Sequence, residues 1–140
     1  MRSIKDPRHI ARILAVMDLY NLYFDKENNN FEKLNTDDLD LGNYSSKIRS
    51  QIVDGVTKNL LEIDNLVNEN SDPVKTTDLD LVLLQIIRCA VYEGFIAKTI
   101  PAKVAVDEAI EMTRDFGLEQ SAKKVSGILG KIFDKIVKDE

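Results

Sequence analysis

Residues 79–95 read LDLVLLQIIRCAVYEGF, and the fold turns on what that stretch becomes. Only Asp80, Gln85, Arg88 and Glu93 carry ionic or amide side chains. Wound into a helix, its apolar residues run nearly all the way round, as in a helix buried in a bundle or inserted in a membrane. A bilayer takes about 20 predominantly apolar residues, so this stretch is too short and too charged to span one. Ile86-Ile87 would suit a buried strand, but strands usually end after about 4–8 residues. The stretch therefore reads as the central helix of an all-α domain. Thr77 is its expected N-cap, and Gly94 sits where its interior weakens.

The segments on either side supply helices to cover it. Residues 8–27 place Ile10, Ile13, Leu14, Met17, Tyr20 and Phe24 on one stripe at 3–4 spacing, after a cap at Asp6 and Pro7 in the first turn. Tyr20 suits either the core or the surface. Residues 28–43 are rich in Asn and Asp and read as a loop, with a turn after Thr36. Helical periodicity resumes over 44–69 through Ile48, Ile52, Val56, Leu60, Ile63 and Leu66-Val67. Gly55 interrupts it, at a cost of about 1 kcal/mol relative to alanine, which points to close helix packing there. Residues 70–76 form a linker. Pro101 opens the next helix, Ala105, Ala109, Met112 and Phe116 form its inner stripe, and Gly117 stops it. The last helix, about 119–137, buries Val125, Ile128, Leu129, Ile132, Phe133 and Ile136.

A chain of 140 residues suggests one domain, 1–140. That length buries about two thirds of the unfolded surface, so the core needs no staples. The lone Cys89 excludes an internal disulfide and a cysteine-rich zinc site, and reads as a small buried residue. Arg12 and Asp18 interrupt the apolar run after the basic start, so no secretory leader is expected. The expected location is the cytoplasm.

The formal net charge of −5 argues against nucleic acid as a general partner, but the charge is unevenly spread. Residues 1–24 are net +2, residues 25–80 net −7, and residues 81–140 balanced. Two places are locally basic. Lys5, Arg8, His9 and Arg12 open the first helix, where cations oppose the helix dipole by a few tenths of a kcal/mol each. Arg8 and Arg12 share a face there, expected opposite the apolar stripe. Residues 121–138 hold five lysines and one acid. Of these, Lys124, Lys131, Lys135 and Lys138 fall within roughly 60° on the wheel. Both places suit either a solvated face or an anion.

Catalytic signatures are missing. His9 is the only histidine, and no phosphate-cradling glycine loop occurs. Asp107, Glu108 and Glu111 could gather a metal, but Lys103 and Arg114 within reach read as ion-pair partners. Neither metal nor cofactor is expected, and binding is the default over an enzyme.

Several segments, taken in order, resemble the NusB family of bacterial transcription antitermination factors. They are Ala11-Arg12, Ala15-Val16 and Leu19-Tyr20; Gly55-Val56, Asn59 and Ile63-Asp64; and Arg88 with Ala90–Glu93. The longest are IPAKVAVDEAIEMTRDFG (100–117) and SAKKVSGILGKI (121–132). Little chain follows the last helix, unlike RNA cytosine methyltransferases that carry a similar domain ahead of a catalytic one.

The resemblance implies two small packed helical bundles around the central helix. It implies binding of boxA-type RNA in ribosomal RNA leader transcripts together with the ribosomal protein NusE, and through them an effect on RNA polymerase at terminators. Arg8, His9, Arg12, Tyr20, Gln120, Lys123 and Lys124 are the RNA-binding candidates it implies, and Leu83, Leu84 and Glu93 the partner-binding ones. The chain departs from the family pattern in several places. Lys124 stands where an aromatic is typical, Ser126 and Asp107 where asparagines are, and His9-Ile10 where arginines are common. Leu83-Leu84 replaces a Glu-Arg pair, and could instead cover an apolar partner or a second copy of the chain. The alternative function is a protein-interaction module of the same fold, with a homodimer as one option, and with weak or no RNA binding.

Overall fold

The computed structural model describes residues 6–26, 33–36, 39–71 and 79–139. Six helices account for most of them: α1 (Pro7–Lys26), α2 (Ser46–Lys58), α3 (Leu60–Asn70), α4 (Leu81–Val91), α5 (Ala102–Asp115) and α6 (Ala122–Asp139). A π-helical turn, Tyr92–Ile96, extends α4, and a 3₁₀ turn, Glu119–Ser121, leads into α6. The described residues contain no strand. α4 is the shared element. α1 and α2 pack together and α5 and α6 pack together, each pair against α4, with α3 laid on α6.

Local chemistry sets the helix ends. Asp6 Oδ1 accepts the Arg8 amide at 2.7 Å and caps α1. Ser45 Oγ does the same for Ile48 at the start of α2. α4 is capped by Asp80, whose Oδ1 takes the amides of Val82 and Leu83. The expected cap, Thr77, lies outside the described residues. Gly117, at φ +75°, ends α5, and the Leu118 amide reaches back to the Thr113 carbonyl. Residues 44–69 are two helices rather than one. The break is at Asn59, whose side-chain amide donates to the Gly55 carbonyl at 2.7 Å and draws the turn away from helix geometry.

The core is one continuous apolar cluster fed by all six helices. α4 gives it Leu83, Leu84, Ile86, Ile87, Cys89, Ala90 and Val91. One stretch of α1 is buried as thoroughly: every residue from His9 to Met17 is buried, not only the expected stripe. Ala11 and Ala15 let neighbouring helices come close, and the two charged residues in the run find partners inside.

Glycines mark the tightest approaches. A Cβ on Gly55 would overlap the Tyr92 phenol ring, and one on Gly94 would stand 2.8 Å from Ala105 Cβ and 3.2 Å from Ala102 Cα. The Tyr92 ring can rotate away, and alanine regains about 1 kcal/mol of helix propensity at Gly55. The first turn of α5 cannot rotate away from Gly94. Gly94→Ala is therefore expected to lose about 1–3 kcal/mol, and Gly55→Ala less, in urea denaturation of the two variants.

Candidate RNA-binding surface

Three of the candidate cations face solvent. Arg8 stands at the start of α1, and Lys123 and Lys124 in the first turn of α6. Gln120 is exposed in the turn just before them. Among the described residues neither lysine has an ion-pair partner. Arg8 does: its guanidinium holds Asp6 through Nε and Nη2, both at 3.1 Å. Hydrogen bonds from the Arg8 side chain and amide hold the Asp6 carboxyl down at a pKa of about 2. The pair is exposed, so screening keeps it weak and a phosphate can take the place of Asp6.

The other members of the first-helix cluster turn inward. Arg12 is 5% exposed. Its Nε and Nη2 meet Glu93 Oε1 and Oε2 at 2.8 and 3.2 Å, and its Nη1 lies 3.7 Å from Glu108. Two expectations are corrected by this one fork. Arg12 does not share the solvent face of Arg8, and Glu93 does not face a partner, because each holds the other. The π turn makes the meeting possible, since it carries Glu93 at its second position and turns that carboxylate into the interior.

His9, 4% exposed, is enclosed by α5. Its Nδ1 lies 2.5 Å from Glu108 Oε2 and its Nε2 2.6 Å from Asp115 Oδ2. With a carboxylate at each nitrogen the ring is best served by two protons. Burial works against that charge, but the hydrogen bonds to Glu108 and Asp115 outweigh it and raise the pKa above 6.5. Burial raises the Glu108 carboxyl, and the His9 hydrogen bond more than offsets it, so that pKa falls below 4.5. The signs fix a stability window. The His9 contribution is complete below pH 6.5 and disappears as pH rises through the higher folded value. The Glu108 contribution is present above 4.5 and is lost as pH falls through its lower folded value. Urea denaturation of the metal-free protein should show stability falling from pH 6 to pH 9. The fall amounts to about 1.4 kcal/mol for every tenfold by which folding tightens proton binding to His9, and it should be absent in His9→Gln.

Tyr20 is half-buried, its ring 4.9 Å from Phe24, so it serves both core and surface edge. Leu83 and Leu84 are not available to a partner. They are 1% and 6% exposed, because the cap at Asp80 sets α4 so that its first turn already faces the core.

The start of α1 meets the end of α5, the helix that precedes α6 in the chain. Asp115, which holds His9, is the last residue of α5, and Lys123 follows it by eight residues across the Gly117 stop and the 3₁₀ turn. Beside this edge a groove of about 750 Å³ runs between α1, α2 and the start of α5. Asp6, Asp54 and Glu108 line it along with Arg8 and Lys58, so the groove has no single sign of charge.

Sequence reasoning misses the long-range acids. Arg49 grips Asp18 at 2.6 and 2.7 Å and ties α2 to α1; Arg88 grips Asp64 at 2.9 and 2.8 Å and ties α4 to α3. Glu108, Glu111 and Asp115 line the His9 side of α5. Their 3–4 spacing is a visible signal. Their partner, 99 residues away for Glu108, is not.

The model of the NusB family matches residues 9–134. The chain belongs to the NusB family. A transcription antitermination protein NusB of Caldicellulosiruptor saccharolyticus is 34% identical over 112 residues, covering 80% of this chain and 85% of that protein. One from Shewanella frigidimarina is 34% identical over 131 residues, covering 89% and 93%. The fold agrees as well: a solved structure of T. maritima NusB superposes with a TM-score of 0.68 at 31% identity, covering 92% of each chain. The all-α bundle expected from residues 79–95 is thus the NusB bundle, and the resemblance read from the ordered segments holds. No helix among the described residues is long and apolar enough to cross a membrane.

Proposed function

We propose that this NusB-family chain is a non-enzymatic, cytoplasmic transcription antitermination factor. It binds boxA-type RNA of ribosomal RNA leader transcripts with the ribosomal protein NusE, and acts on the RNA polymerase elongation complex through that assembly. The observation that supports this most is the meeting of the α1 start with the α5 end, which leads directly to the exposed Lys123 and Lys124. Arg8, Lys123 and Lys124 are the phosphate-neutralising set, with Gln120 and Tyr20 beside them. Arg12 and His9 serve this edge from behind, by fixing α1 to the π turn and to α5. NusE docks on a surface that includes neither Leu83, Leu84 nor Glu93, all of which face inward.

The rival reading, a protein-interaction module that pairs with itself, draws on the same correction. With Arg12 and His9 spent on internal partners, fewer cations remain on a chain of net −5. Fluorescence anisotropy with boxA RNA and a scrambled RNA, run beside size exclusion with light scattering, separates the two. Preferential boxA binding by a monomer supports the proposal. A homodimer with no preference between the RNAs contradicts it.

A further inference from the structure

Three carboxylates and one imidazole converge where α1 begins and α5 ends, and RNA binding employs none of those carboxylates. Glu108, Glu111 and Asp115 lie three and four residues apart, so one face of α5 presents them all to His9. The two ring nitrogens have different surroundings. Nδ1 meets one carboxylate oxygen, of Glu108 at 2.5 Å. Nε2 meets two, of Asp115 at 2.6 Å and of Glu111 at 3.9 Å.

That asymmetry is the setting of a metal-ligating histidine. In such a site one ring N–H is fixed by an orienting carboxylate, here that of Glu108, and the opposite nitrogen faces the other ligands; here the proton that Nε2 donates to Asp115 must leave before an ion can enter. One ligand atom from each of His9, Glu111 and Asp115 lies within 4.8 Å of the others. Around a tetrahedral ion with bonds of about 2.0–2.2 Å, ligand atoms stand roughly 3.4 Å apart, so closure needs side-chain shifts of under about 1 Å for Nε2 and either carboxylate. A common acidic patch is solvated, whereas this one encloses a buried imidazole.

We propose that His9, Glu111 and Asp115 bind a divalent transition-metal ion of the zinc class, with Glu108 orienting the imidazole through Nδ1. The nitrogen ligand selects zinc, cobalt or nickel over magnesium, which prefers an all-oxygen octahedron. Water completes the coordination. The Glu111 side chain, 36% exposed, gives the ion its path from solvent. On entry the ion takes the Nε2 lone pair, and a proton held there passes to solvent. The bound ion would lock the start of α1 to the end of α5. The site stands whether or not the chain binds RNA.

The test uses the full chain, stripped with a chelator and titrated with Zn²⁺ and Co²⁺ by calorimetry and visible absorption. One ion per chain is expected, with a cobalt d–d band and no thiolate charge-transfer band, since Cys89 is buried inside α4. Glu111→Gln and Asp115→Asn should each weaken binding at least tenfold and abolish the zinc-dependent rise in Tm. Asp107→Asn, on the exposed face of α5, should change neither. Should Asp115→Asn fail to fold by circular dichroism, Glu111→Gln alone decides. Absence of binding, binding unaltered in Glu111→Gln, or equal displacement by Mg²⁺ would overturn the site.

Discussion

Arg12→Ala is expected to destabilise the fold by about 3–5 kcal/mol. The cause is Glu93. Removing the guanidinium leaves a carboxylate that is 5% exposed, at the second position of a π turn, with its two oxygens deprived of the fork that satisfied them. Glu93→Ala should cost a similar amount by leaving Arg12 buried and unpaired. Marginal domains hold only about 5–15 kcal/mol in all, so either variant loses a large share of its stability. The pair itself is a weak source of net stability, because desolvating both charges offsets most of their attraction. A double-mutant cycle through Arg12→Met and Glu93→Leu therefore has a distinctive expected result. The double variant should recover much of what either single variant loses. Urea denaturation of all four proteins measures it; additive losses would show that the two side chains do not act on each other. One practical consequence follows for RNA work. Lost RNA binding in Arg12→Ala reports lost structure before it reports a lost phosphate contact.

Leu83→Ala carries the second large effect, about 2–5 kcal/mol. Leu83 is among the largest fully buried side chains, at 1% exposure in the first turn of α4. Truncation removes its transfer energy and leaves a cavity that the surrounding helices fill only in part. If the leucine pair were instead a partner-docking surface, the same substitution would leave stability unchanged and weaken an interaction. Thermal denaturation of the isolated chain tells the two apart: a large fall in Tm without any partner present is the expected result.

The fold is readable because its signals are local and periodic. Residues 79–95 are apolar around the whole helix, and the inner stripes of α5 and α6 recur at 3–4 spacing, so their faces follow from the chain itself. The same logic fails on α1. Charge alone assigns Arg12 and His9 to solvent, yet their burial depends on Glu93, Glu108 and Asp115, which lie 81, 99 and 106 residues away. Periodicity carries no information about such partners. The break at Asn59 escapes for a related reason, since the apolar positions continue in register across it and only a side-chain hydrogen bond to Gly55 reveals the turn. Of the candidate site, the exposed lysines at the start of α6 are legible. That the end of α5 just before them meets the start of α1 depends on the His9 contact to Asp115, which no sequence pattern displays.

The decisive measurement is the salt dependence of boxA RNA affinity for the parent chain and for the Arg8→Ala, Lys123→Ala, Lys124→Ala triple variant. Each contact with a single-stranded phosphate adds about 0.7 to the slope of log affinity against log salt. Because all three side chains are exposed, the triple variant should keep the parent Tm, bind more weakly, and show a slope shallower by about 2. A triple variant that folds, binds with the parent affinity and keeps the parent slope would mean that this edge of the molecule is not where RNA binds.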